Sequence, residues 1–240
     1  MTGWIRRSVP LLVLLLAAAG CQPENRTAQS QEEGDYFPLV TDGRWLYSVR
    51  ANLGRFEVEV TGREAVSVPG ASEPIFVMDE RNLGRSLGFA VVSPVGYVKR
   101  DGYIARVSGI DYVGSDPESG ELLLLGRYEP TFMFPENPMP GQTWVQQTDM
   151  FGNKEHPGAL MGWSGTVREL TSLRVPAGEF KNVLEIETQY RDASEGSLAP
   201  KAIYHDYYAR GVGLIRSVVE DPSGDANNRI EQVLLEYAIP

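Results

Sequence analysis

The sequence predicts an all-β fold with minor helix at most. The expected architecture is one antiparallel sheet curved into a half-barrel or barrel, with a β-sandwich as the alternative. Three observations carry this. Apolar and polar residues alternate strictly in Phe56-Glu57-Val58-Glu59-Val60-Thr61, as in a strand with one wet face. Turn sequences punctuate the chain: Asp101-Gly102, Ser119-Gly120, Pro176-Ala177-Gly178 and Pro222-Ser223-Gly224. No stretch carries the three-to-four-residue apolar spacing of a long helix.

Taken in order, strands are expected at 45–50, 56–61, 75–79, 88–92, 97–100, 103–108, 122–128, 143–148, 161–170, 184–190, 202–208, 214–220 and 233–239. In the tenth of these, Leu184, Ile186, Thr188 and Tyr190 oppose Glu185, Glu187 and Gln189. Val233, Leu235, Tyr237 and Ile239 form a similar stripe near the C-terminus. A sheet of about ten or more strands must curl, split or flatten to protect its edges. A weak internal echo also exists. Phe37-Pro38 precedes Gly43 and Trp45, and Phe134-Pro135 precedes Gly141 and Trp144. Each places an aromatic-proline turn before a tryptophan-bearing strand, which either duplication or two similar strand starts would produce.

The N-terminus carries an address. Arg6 and Arg7 precede the apolar run Leu11-Leu12-Val13-Leu14-Leu15-Leu16, and Ala17-Ala18-Ala19-Gly20 leads into Cys21, the single cysteine of the chain. The run is about half of the ~20 residues that a spanning helix needs. It resembles a bacterial lipoprotein signal cut before Cys21, whose sulfur would carry a diacylglyceryl group. Ala18 stands where leucine is common, so an ordinary secretory signal is the alternative. Ile5 and Ser8 fit a twin-arginine motif poorly. Two or three acyl chains would anchor the protein durably, where one would not. Gln22, rather than aspartate, after the cysteine points to the outer membrane of a double-membrane host. With Cys21 acylated no thiol remains, so disulfides, redox chemistry and thiolate metal sites are excluded.

Residues 1–20 are thus expected to be a signal peptide, 21–34 a lipidated cysteine and polar tether, and 35–240 a single β-rich envelope domain. The tether would hold that domain roughly 20 Å from the membrane, at about 5–6 Å times the square root of residue number. The net charge is −10, and loss of Arg6 and Arg7 with the signal takes it to −12. No basic stripe is visible, which argues against nucleic acid and against lying flat on anionic lipid.

Two segments carry a family resemblance. One is Leu173-Arg174-Val175-Pro176-Ala177-Gly178-Glu179-Phe180-Lys181-Asn182-Val183-Leu184. The other is Tyr207-Tyr208-Ala209-Arg210-Gly211-Val212-Gly213-Leu214-Ile215-Arg216. With Tyr36-Phe37-Pro38-Leu39 and Trp45, they resemble a widespread group of uncharacterised bacterial envelope lipoproteins. That group shares a Phe-Pro-Leu opening, a Val-Pro-Ala-Gly-x-Phe turn and a Gly-Val-Gly strand start. The resemblance spans most of residues 36–240. It implies a curved-sheet domain broadly similar to half-barrel periplasmic lipoprotein carriers, and it implies no activity or catalytic residue. Physically, Pro176 and Gly178 fit a tight turn with Phe180 plugging the sheet end. Gly211 and Gly213 suit a bulge or a close backbone approach.

Catalytic patterns are weak. His156 lies in the loop-like Gly152-Asn153-Lys154-Glu155-His156-Pro157-Gly158, and His205 lies in a strand beside Asp206, too few converging groups for a metal site. Gly162-Trp163-Ser164-Gly165-Thr166 resembles a nucleophile elbow but ends in threonine and runs on as strand. Glu185 and Glu187 would lie about 7 Å apart on one strand face, a glycosidase-like spacing, yet they read as solvated. Gly211-Val212-Gly213 lacks the third glycine and the helix of a phosphate loop. No cofactor, metal site or catalytic residue is expected.

The aromatic set remains. Trp45, Trp144, Trp163, Tyr190, Tyr204, Tyr207 and Tyr208, with the leucine run 122–125, could line a cavity inside a curled sheet or simply pack its core. The expected function is therefore non-enzymatic: a membrane-anchored protein binding a hydrophobic ligand or an envelope partner. The alternatives are an assembly subunit of an envelope complex and, behind it, an envelope hydrolase.

Overall fold

Where the sequence alternates with a period of two, the chain runs as strand. The computed structural model describes residues 34–52, 54–67, 72–84, 92–107, 114–115, 122–123, 131–149, 160–192, 200–223 and 228–240. The strands are β1 (Arg44–Ala51), β2 (Gly54–Val66), β3 (Ile75–Asn82), β4 (Val92–Arg100), β5 (Tyr103–Val107), β6 (Gly114–Ser115), β7 (Leu122–Leu123), β8 (Thr131–Pro135), β9 (Thr143–Asp149), β10 (Leu160–Val175), β11 (Gly178–Asp192), β12 (Pro200–Ala209), β13 (Gly213–Glu220) and β14 (Ile230–Ala238). Twelve of them form one antiparallel sheet in the order β8-β5-β4-β3-β2-β1-β14-β13-β12-β11-β10-β9, and β6 pairs with β7 apart from it. The all-β expectation holds, as one continuous sheet nearly closed into a barrel rather than two stacked layers.

Alternation decides which residues face the interior. Trp45, Tyr47 and Val49 of β1 are buried, as are Leu184, Ile186 and Thr188 of β11. Glu185 and Glu187 fall on the other face, where Glu185 meets His205 and Glu187 meets Arg168. One continuous core runs through the interior, from Phe37 and Trp45 through Tyr97 and Phe134 to Phe180, Tyr208 and Leu234. A smaller core of Ile75, Val77, Val98, Ala105 and Val107 lies on the opposite face of β3–β5.

The sheet falls into two six-stranded meanders, β1-β2-β3-β4-β5-β8 and β9-β10-β11-β12-β13-β14. The turns that open them repeat one hydrogen-bond pattern, matching the sequence echo. The Asp42 N–H donates to Gly62 O (3.0 Å), and the Gly62 N–H donates back to Gly43 O (2.8 Å). In the second half the Gly141 N–H donates to Val167 O (2.8 Å), and the Val167 N–H to Gln142 O (2.9 Å). Glycine is needed at Gly165, because a Cβ there would run into the Trp144 ring.

Several expected boundaries shift. The Pro176-Ala177-Gly178 turn joins β10 and β11 into a long hairpin, well beyond the expected 161–170 and 184–190. β8 lies outside every expected strand, because Thr131–Pro135 shows no polar-apolar alternation. Of the expected strand 122–128, only Leu122–Leu123 is described as strand, in β7 and outside the main sheet. Residues 88–91, 108 and 124–128, like His156 and residues 1–33, lie outside the described residues.

Candidate functional site: a cavity inside the barrel

The segment before β1 packs into the core of the barrel. The Phe37 ring centroid lies 4.9 Å from that of Tyr97, 5.7 Å from Phe134 and 6.2 Å from Tyr208. Long-range bonds tie this segment down. Tyr36 donates its hydroxyl to Asn182 O (3.2 Å), and the Trp45 indole N–H donates to Val212 O (2.7 Å). The Gly211 N–H donates to Asp35 O (2.9 Å). The Gly-Val-Gly strand start explains itself here. A side chain at Gly213 would crowd Pro38, whose Cδ lies 3.2 Å from where a Cβ would stand, and φ at Gly213 is +95°. The Phe-Pro-Leu opening and the Gly-Val-Gly motif therefore form one structural joint.

The interior also holds a cavity of about 260 Å³. Its walls come from five strands: Arg106 of β5, Phe132, Met133 and Phe134 of β8, Trp163 of β10, Ile186 and Thr188 of β11, and Tyr204, Asp206 and Tyr208 of β12. The register explains the convergence. Tyr97 sits opposite Arg106, so Arg106 shares the inward face with a core tyrosine. Tyr204, Asp206 and Tyr208 alternate along β12 onto the same face. A slip in the β5–β8 pairing between Ile104 and Ala105 brings consecutive β8 residues to the cavity. A second space of about 70 Å³ lies beside Phe37, with Trp45, Met78, Glu80 and Tyr97 among its walls.

The interior is apolar but charged. Burial pushes the Asp206 carboxyl up to about 6, against the opposing effects of a Ser217 hydrogen bond and the nearby His205 and Arg106 charges. Asp206 keeps some accessible area because it faces the cavity, yet protein atoms surround it. Burial likewise raises Glu80, with Arg106 acting against it through space. Burial pushes the Tyr97 hydroxyl up to about 12 and raises those of Tyr47 and Tyr208. Arg106 is thus the cation among these groups, and its Nε is buried without a hydrogen-bond partner.

The structure distributes the expected aromatic residues unevenly. Trp163, Tyr204 and Tyr208 line the cavity. Tyr190 packs on Trp163, with ring centroids 4.8 Å apart, but is not among the cavity walls. Trp45 lines the smaller space beside Phe37, and Trp144 is buried near Tyr103. Tyr207 points to the other face, where the Arg216 guanidinium lies 5.6 Å from its ring centre. Sequence reasoning misses Arg106 and the β8 residues. A charged residue two positions after Ile104 in an expected strand is the available signal for Arg106. Asp206 stands out in the sequence only as a metal ligand, whereas its place in the Tyr204-Asp206-Tyr208 stripe marks it as an inward carboxyl.

Ser164 lies within β10, in continuous strand pairing with β9 and β11. Among the described residues no group of three or more His, Cys, Asp or Glu side chains is arranged to hold a metal ion. No described helix is long and apolar enough to cross a membrane.

Fold and cavity together define a barrel-like, all-β protein with a partly apolar interior. No family model and no curated protein matches the sequence. Solved structures of similar architecture do exist. A lipoprotein candidate from Parabacteroides distasonis aligns with a TM-score of 0.46 and 14% identity, over 87% of this chain and 100% of its own. An exported-protein candidate with a YmcC-like fold from Bacteroides fragilis aligns at 0.42 and 13%, over 86% and 100%. A β-barrel-like protein of the DUF1849 domain family from Brucella abortus aligns at 0.35 and 10%, over 84% and 99%. These are likenesses of architecture only.

Proposed function

We propose that this chain is a lipid-anchored, non-enzymatic envelope protein whose barrel takes up a hydrophobic ligand. The cavity between β5, β8, β10, β11 and β12 carries this reading, with apolar walls and a few inward polar groups. The lipoprotein-like signal at residues 1–21 would place it in the envelope, and Gln22 favours the outer membrane, facing the periplasm. Residues 35–240 would act as one domain on a polar tether.

Every described strand and both described core clusters lie within residues 34–240, so a soluble chain 22–240 carries all of them. That chain should bind the neutral apolar dye N-phenyl-1-naphthylamine while folded, and binding should survive high salt because burial drives it. Ile186→Trp, which fills the cavity, should abolish dye binding with the circular dichroism spectrum unchanged. Dye binding untouched by Ile186→Trp would refute the cavity as the site.

A second reading, an envelope partner, draws on one observation. Met139 and Val145 are exposed at 66% and 71%, beside and on the edge strand β9. A stable stoichiometric complex lost on Val145→Lys would favour it.

A further inference from the structure

The cavity is apolar over most of its wall, yet it is not neutral. Arg106 reaches it from β5, and its Nε is buried with no hydrogen-bond partner. Guanidinium is charged at every relevant pH and offers donors in a planar fork. A buried donor without an acceptor is costly in a folded protein, and a charged one more so. The groups around it do not supply that acceptor to Nε. Asp206 already takes a hydrogen bond from Ser217, which stands opposite it on β13. Glu80 belongs to the smaller space beside Phe37 and acts on Arg106 through space. The hydroxyls of Tyr97, Tyr204 and Tyr208 remain protonated near neutrality, because burial raises each of them, so none of them is a counter-ion for Arg106.

We infer that Arg106 anchors the head group of the ligand, and that the ligand is a single-chain amphiphile ending in a carboxylate. This rests on the reading of the cavity as a hydrophobic-ligand site. A carboxylate matches the guanidinium fork and would give the buried Nε its missing acceptor. The chain would lie against Phe132, Phe134, Trp163 and Ile186. Size limits the occupant. At about 260 Å³ the space lies near the lower end of the roughly 300–1,000 Å³ of ligand pockets, which suits one chain better than a two- or three-chain lipid. The facing carboxyl of Asp206 does not block this. Its burial lifts it to about 6, so at pH 7 it is still mostly ionised, and an anion on Arg106 would drive it to take up a proton.

The test uses three ligands with one chain: dodecanoate, dodecanol and dodecylamine. Each displaces N-phenyl-1-naphthylamine from the soluble chain 22–240 at pH 7. Dodecanoate should bind at least tenfold more tightly than dodecanol, and dodecylamine most weakly. Arg106→Met should erase the preference, weakening dodecanoate at least tenfold more than dodecanol. Arg106→Lys should retain part of it. Equal binding of acid and alcohol by the native protein would overturn the head-group assignment while leaving the cavity reading intact. Tightest binding of dodecylamine, lost in Asp206→Asn, would overturn it in favour of a cation site. If neither dodecanol nor the dye binds, the underlying cavity reading fails. The head-group comparison in the native chain stands even if an Arg106 variant does not fold.

Discussion

The two halves of the barrel meet twice, and the two junctions differ. At β1–β14 they are joined by a continuous ladder from Arg44↔Ala238 to Arg50↔Glu231, broken only by a slip between Leu46 and Tyr47. The equivalent junction, between the last strand of the first half and the first strand of the second, is β8–β9. There the order of the sheet ends, and the Phe132 N–H donates to the Gln146 side chain (2.7 Å). The tryptophans on the first strand of each half follow suit. The Trp45 indole N–H reaches Val212 O, while that of Trp144 is buried without a partner. The cavity lies on the open side, with β8 in its wall. One junction thus holds the barrel together, and at the other the ladder stops.

The largest expected effect comes from attacking the closed junction. Leu234 of β14 is fully buried opposite Tyr47. Leu234→Asp places an unpaired carboxylate in the core and should cost at least about 4 kcal/mol, enough to unfold a domain of ordinary stability. Val145→Asp, on the exposed edge of β9, should change stability by no more than about 0.5 kcal/mol. Urea denaturation of both variants measures the contrast. Similar losses at the two sites would mean that the seam bears load as the β1–β14 ladder does.

Next comes the cavity carboxyl. The folded state holds the Asp206 proton more tightly than the unfolded chain does, because burial lifts the group from 3.8 to about 6. Stability should therefore fall as pH rises from about 4 to about 6, and stay lower above that window. At about 1.4 kcal/mol per unit, the penalty at pH 7 is up to about 3 kcal/mol. Asp206→Asn should raise the melting temperature at pH 7 and lose that advantage near pH 4. If dodecanoate seated on Arg106 makes Asp206 take up a proton, as expected, Asp206→Asn should also abolish that uptake, measured by calorimetry in buffers of different ionisation heat. A variant no more stable than the native chain at pH 7 would show that Asp206 is not strained by burial.

The tryptophan pair should differ by less. Trp45→Phe leaves Val212 O without its donor and should cost about 1–3 kcal/mol beyond the change in volume. Trp144→Phe removes a donor that already lacks a partner, so only the volume change remains, about 1 kcal/mol or less. Equal costs in thermal denaturation would erase the asymmetry between the halves.

Much of the architecture was legible because period-two alternation marks strands whose other face is wet. Phe56–Thr61 and Leu184–Tyr190 announced themselves in this way, and the Phe-Pro…Trp echo located the start of both meanders. β8 did not, because Thr131-Phe132-Met133-Phe134-Pro135 is apolar along most of its length. Such a run gives no face, and its slipped pairing with β5 depends on the tertiary fold. The cavity was legible only in part for a related reason. Trp163, Tyr204 and Tyr208 could be suspected as aromatics, but which residues meet across the barrel depends on a strand order no local pattern encodes. Arg106 shows this best, since its neighbours Tyr97 and Asp206 come from β4 and β12.

The smallest stability effect belongs to the seam itself, and it separates holding from opening. Gln146→Ala deprives the Phe132 N–H of its acceptor, and an edge amide can turn to water instead. The cost in stability should be about 1 kcal/mol or less. If ligand passes between β8 and β9, however, the same change removes a bond across the portal, so bound dye should exchange several-fold faster. Stopped-flow release of N-phenyl-1-naphthylamine reads this directly. Affinity should change little, because Gln146 is not among the cavity walls and uptake and release would speed together. Unchanged release rates would show that the ligand takes another route, and that the open junction is a gap in the sheet without a part in exchange.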